Sequence, residues 1–316
     1  MQKYSIPRHV WRAIYPVLIF LGLLFVVIIA ARNAYSASLT IEATFSGDVP
    51  PDTDLIFEQT TAFITDNMML LQLISNAIAL LVFALMWYKI RTKLPKYENS
   101  KLSILAVALT VLCFAGFNYL LTAVFSIIDI TRLFPSFEEN TLANLHGSLA
   151  IRLVGSVFVA PIVEELLCRG IVFNRLTAWM PTWGAALVNS ALFAVMHLEL
   201  VLILSAFIGG LAFCVLYMRF RNLWIPIFGH VAFNLANVAL FEIFSSMGID
   251  EINDLYLLIP ALLVMAVSIT LLIKHTKPAV LIPEPEVEPE TEPEPPTDGG
   301  NSGDGKPDEA VEFGTL

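Results

Sequence analysis

The chain has 316 residues, of which 57% are apolar and only 15% charged, against roughly 25% charged in a soluble domain. With a mean hydropathy of +0.73, this composition excludes a water-soluble globule. The formal charge of -10 belongs to the tail: residues 1–277 hold 17 basic and 17 acidic side chains, whereas 11 acids after Lys277 face Lys306 alone. No basic stripe remains for a phosphate backbone, so nucleic acid is not an expected partner.

Charge-free runs at 13–31, 67–88, 102–128, 176–198, 200–218, 222–241 and 255–273 are each at least 19 residues long, close to the roughly 20 that a helix needs to cross ~30 Å of hydrocarbon. An eighth segment, 149–175, has the same length and apolarity but is interrupted by Glu164, Glu165 and Arg169. The sequence therefore predicts an all-α, polytopic transmembrane bundle of about eight spans in a lipid bilayer, that of a bacterial cell membrane. With a cytoplasmic N-terminus and eight spans, 15 of the 18 basic residues face the cytoplasm and only Arg32, Arg132 and Arg152 fall outside. By the positive-inside rule both termini are then cytoplasmic.

The first run follows Lys3, Arg8 and Arg12, and Ala34-Tyr35-Ser36 offers a small-residue site. Its apolar core exceeds the ~7–15 residues of a secretory signal, which predicts an uncleaved anchor. The stretch from Arg32 to Asp66 reads as a long, polar external loop. Cys113, Cys168 and Cys214 lie in predicted spans without close spacing and read as small apolar packers rather than disulfides or zinc ligands. Residues 1–277 thus form the transmembrane domain. From Pro278 to residue 316 the Pro/Glu-rich and then Gly-rich sequence predicts a disordered, acidic cytoplasmic tail.

An ionisable side chain inside the hydrocarbon marks a functional site by default. Arg169 follows Glu165 by four residues, the spacing at which acid and base meet on a helix, so Glu165 is expected to pair with Arg169. Neighbouring helix positions differ by about 100°, which leaves Glu164 aimed elsewhere, without a local counter-ion and suited to act as a base. Two later spans supply partners: His197 ends the run Phe193-Ala194-Val195-Met196-His197, and His230 precedes Asn234 by one helical turn. Carboxylate and imidazole can activate a water, and His230 with the Asn234 amide can face an oxyanion. His9, His146 and His275 lie at predicted membrane edges. Helical rise puts Glu164 about 16 Å and His230 about 9 Å from the cytoplasmic ends of their spans. His197 comes out ~20 Å deep if its helix starts near Trp183, and almost at the outer surface if it follows directly on Arg175.

Glu164-Glu165-Leu166-Leu167-Cys168-Arg169, Phe193 through His197, and His230 with Asn234 resemble the E-E-x-x-x-R, F-x-x-x-H and H-x-x-x-N motifs of the CPBP family, which groups CAAX prenyl endopeptidases with bacteriocin-processing and Abi-type proteins. The resemblance covers about 150–240. It implies an intramembrane endopeptidase, a hydrolase that cleaves a peptide or membrane-protein substrate. Glu164 would be the water-activating base, His197 its partner, His230 and Asn234 the oxyanion donors, and Glu165 and Arg169 the support. Cys168 stands where the family commonly has an aromatic residue. The family carries a metalloprotease label, and Glu164, His197 and His230 could hold zinc or only a water; no H-E-x-x-H helix is present, and metal-independent activation is the favoured reading. The alternatives are a non-catalytic immunity or scaffold protein and a transporter with Glu164 as proton relay, although no internal repeat supports transport. The 15 to 3 division of basic residues makes the topology testable. A reporter active only in the cytoplasm should give signal when fused after Thr276 and none when fused near Pro50; the reverse pattern would invert the orientation.

Overall fold

The computed structural model describes residues 6–47, 52–99, 101–135, 137, 148–247 and 255–283; His146 and most of the acidic tail lie outside them. The described chain is helical apart from turns and one two-residue ribbon. In order come α1 (Ile6–Ser46), α2 (Thr53–Asp66), α3 (Met68–Arg91), β1 (Tyr97–Glu98), α4 (Ile104–Ile127), the short α5 (Ile130–Leu133) and a composite helix α6 (residues 149–176). Then follow α7 (Thr182–Val195), α8 (Leu200–Phe220), α9 (Trp224–Met247), α10 (Leu255–His275) and β2 (Val280–Leu281). Among the described residues five helices are long and apolar enough to cross a membrane: Arg8–Ser46, Met68–Arg91, Ile104–Ile127, Leu200–Phe220 and Leu258–His275. The protein is an integral membrane protein with an all-α, polytopic fold.

Within the expected external loop, residues 33–46 and 53–66 are instead helical. No proline or glycine interrupts residues 33–46, and the Ser38, Thr40 and Thr44 hydroxyls donate to carbonyls three or four residues back, so the polar positions ride on the helix. Gly47, at φ +73°, ends α1, in the left-handed conformation that glycine adopts most readily. Asp52 then caps α2, its carboxylate accepting from the Leu55 N–H at 2.8 Å. Tyr35 and Phe63 stack at 4.2 Å. At ~62 Å, α1 is about twice the hydrocarbon thickness, and α2 packs against it.

Between residues 149 and 176 the chain alternates between ordinary and wide turns. Leu149–Arg152, Ala160–Glu165 and Asn174–Leu176 are α-helical, whereas Leu153–Val159 and Leu166–Phe173 have i→i+5 hydrogen bonding. Pro161 lacks the N–H that would continue the α-ladder, which accounts for the first wide turn. This helix is the centre of the molecule: Val163, Leu167, Ile171, Val172 and Phe173 are fully buried, against Phe83 and Ala79 of α3 and Ala185 and Ala186 of α7.

The run 176–198 is not one span. It turns after Leu176 and restarts at α7, with Pro181 as its N-cap. At 14 residues α7 reaches only ~21 Å, and Leu198, at φ +60°, turns the chain into α8. On the other flank, α4 packs along α9 and α10. The chain stays ordered past Lys277, because Val280 and Leu281 pair antiparallel with Glu98 and Tyr97.

A Cβ on Gly229, the residue before His230, would stand 2.9 Å from Thr110 Cγ2 and 3.2 Å from Phe114 Cδ2. Gly229→Ala should therefore lower stability by about 1–3 kcal/mol through overpacking between α4 and α9. Adding Thr110→Ser, which removes that methyl, should recover part of the loss in detergent melting.

Candidate active site

The site is assembled by α6, α7, α8 and α9. Glu164 lies twelve residues after Arg152 and eleven before Arg175, hence about 16 Å from either along the helix. Both arginines are engaged. Arg152 pairs with Glu242 of α9, and Arg175 donates to the Arg12 carbonyl at 2.6 Å and the Tyr15 hydroxyl at 3.0 Å. The two glutamates therefore sit near the middle of α6, between two cations towards its ends.

Glu165 and Arg169 are wholly buried and joined at 2.9 Å. Arg169 also donates to the Gly210 carbonyl at 2.6 Å, and its guanidinium lies 4.9 Å and 5.3 Å from the Phe193 and Phe213 ring centres. The Glu165 oxygen that receives Arg169 also receives His230 Nδ1, at 3.0 Å. Glu164 has its nearest ring partner on another helix: His230 Nε2 stands 3.7 Å from Glu164 Oε2. The 100° step between adjacent positions does separate the two carboxylates, but an imidazole has a nitrogen on each side and faces both. Glu164 retains 16% side-chain exposure while Glu165 has none.

His197 reaches this centre only through Phe193, whose ring is edge-on to His197 at 4.9 Å and to His230 at 5.8 Å. Its Nδ1 is 3.1 Å from the Phe193 carbonyl, which can only accept, so Nδ1 carries the proton and a neutral ring leaves Nε2 as an acceptor. Among the described residues no hydrogen bond or ion pair joins His197 to Glu164. Asn234 points its amide at the Ser156 carbonyl, 2.8 Å away, and so ties α9 to the first wide turn of α6.

Among the described residues no three His, Cys, Asp or Glu side chains are grouped to hold a metal. His230 Nδ1 is held by Glu165 and His197 Nδ1 by the Phe193 carbonyl, so each ring keeps Nε2 to accept a proton or a metal ion. Cys168 is fully buried in the core, and its carbonyl accepts from Asn189. Cys214 is more than a packer, since its thiol lies 3.3 Å from Asn189 Oδ1. Sequence reasoning missed Phe213, Gly210 and Ser156; the Gly209-Gly210 pair inside a charge-free run is the one signal that marked a close helix approach.

Residues 146–236 match the family described as type II CAAX prenyl endopeptidase Rce1-like. YdiL of Bacillus subtilis (strain 168), named as a candidate membrane peptidase, is 36% identical over 99 residues, which is 31% of this chain and 41% of the relative. The chain thus matches about two fifths of that curated relative's length. No solved structure matches it. Every residue of the three motifs falls within the matched segment.

Proposed function

We propose that this protein is an intramembrane endopeptidase that hydrolyses a peptide bond with water activated by Glu164. The observation that carries the reading is the His230 imidazole held between two carboxylates, one sealed and one partly open. Glu165 is committed to Arg169 and His230, which leaves Glu164 as the carboxylate free to act on substrate.

In this mechanism Glu164 takes a proton from a water that donates its other hydrogen to His197 Nε2. The hydroxide adds to the scissile carbonyl carbon, and His230, in its doubly protonated form, gives Nε2–H to the oxyanion. Asn234 keeps a second amide N–H for the same oxygen. When the tetrahedral intermediate collapses, the C–N bond breaks and Glu164 returns its proton to the leaving amine. No step requires a metal. The substrate is a peptide or membrane-anchored protein, and the description of the matched family favours a C-terminal prenylated one. Both termini are proposed to lie in the cytoplasm, from the division of basic residues along the sequence.

A non-catalytic scaffold is the rival, because the Glu165–Arg169 and Asn234–Ser156 contacts would hold helices together without any chemistry. Glu164→Gln decides between them. It should lower the chemical step by the ~10²–10⁴ of a lost general base while detergent melting is unchanged or raised; a cellular role that survives the substitution intact would favour the scaffold, and full turnover would remove Glu164 from the chemistry. A comparison of the membrane peptidome with and without this substitution should reveal the accumulating substrate.

Glu165→Gln should act through stability, since it strands the buried Arg169 cation at about 3–5 kcal/mol. Adding Arg169→Met should restore melting. If Glu165→Gln instead abolishes turnover at full stability, the roles of the two glutamates are exchanged.

A further inference from the structure

The geometry points to Phe213 of α8 as the positioning residue that fixes the plane of His230. The inference rests on the proposed role of His230 in the reaction, but its test does not.

The His230 ring stacks on Phe213 with centroids 4.7 Å apart and planes 23° from parallel. Phe213 in turn stacks on Phe114 of α4 at 4.6 Å and 15°, and Phe114 sits edge-on to Phe117 at 6.1 Å. Phe213 is 3% exposed and Phe114 4%, so the stack is locked in the core rather than leaning on lipid. Phe193 closes another side of His230 edge-on. The same two phenylalanines flank the Arg169 guanidinium, so one aromatic bracket orders both groups that meet at the Glu165 carboxylate.

A histidine on a helix keeps rotational freedom about its second side-chain torsion, which is broad rather than sharply staggered. One hydrogen bond at Nδ1 leaves the ring free to swing about that contact, and such a swing would carry Nε2 away from Glu164. A parallel ring against the imidazole face restricts this freedom, because stacked aromatic pairs attract one another beyond the area they bury. Phe213 touches no reacting atom. It acts through His230, and any ring-free side chain of similar size fills the space without setting the plane.

The test replaces Phe213 with Leu and separately with Met in the full-length protein. The first readout is the ¹H–¹⁵N resonance of the His230 Nδ1–H in detergent, assigned by its loss in His230→Gln. The wild type should show a downfield, slowly exchanging proton, as expected of a hydrogen bond to a buried carboxylate. In both variants it should broaden or exchange at least about tenfold faster. Met, the closest in reach, decides if Leu does not fold. The second readout is cleavage of a quenched fluorescent peptide ending in a farnesylated cysteine and three further residues: kcat should fall about 10- to 100-fold, as for a displaced catalytic group, with KM within about twofold. A resonance of wild-type shift and exchange rate in either folded variant overturns the assignment. Glu164→Gln is run alongside. If that enzyme still turns over the peptide, the assignment of Glu164 as the base fails while the resonance still decides the role of Phe213.

Discussion

One carboxylate oxygen, Oε1 of Glu165, holds the molecule's centre together. It lies in a fully buried side chain and accepts from both Arg169 and His230, so it joins two positions of α6 to α9. Arg169 extends the link to α8 through the Gly210 carbonyl. A charge so deep is tolerable only when it is paired and hydrogen-bonded. The dependence runs both ways: the pair requires four helices around it, and those helices meet at a fixed geometry because the pair demands it. Glycine at 210 permits the approach, since a Cβ there would stand 3.0 Å from Phe193 Cδ1.

The polar contacts between α6 and α9 are spread along their length. Arg152 meets Glu242 at one end, Asn234 meets Ser156 below it, and His230 meets the two glutamates at the middle. Each side chain that could work on a substrate is thus backed by others that only hold position. In a bilayer such contacts matter because lipid and helix surfaces are equally apolar, so burial alone does not set helix register.

What could be read from the sequence was what hydropathy and helical spacing encode. Charge-free runs located the apolar helices, and the four-residue step from Glu165 to Arg169 identified a contact within one turn. Contacts between helices were not legible in this way. Nothing in the spacing shows that His230 divides its ring between two carboxylates, or that the Asn234 amide is spent on a carbonyl 78 positions earlier. The stretch after Arg32 was misread because polarity suggests a loop, whereas serine and threonine can satisfy their hydroxyls on the helix itself. The short reach of α7 was half visible, in Pro181 between Trp179 and Trp183, but its end depends on Leu198 taking a left-handed backbone that leucine seldom adopts.

The wide turns of α6 separate angular register from sequence position. An i→i+5 turn holds one residue more than the α-helical turn it replaces, so each acts as a one-residue insertion absorbed without breaking the helix. Losing one residue within Leu153–Val159 would return that stretch to ordinary α-helix and rotate everything before it by about 100°. Arg152 and Ser156 would then turn away from Glu242 and Asn234, while Glu164, Glu165 and Arg169 kept their places around His230. The first wide turn is in effect a rotary joint, through which the outer half of the helix can be re-aimed over evolutionary time without disturbing its chemical half.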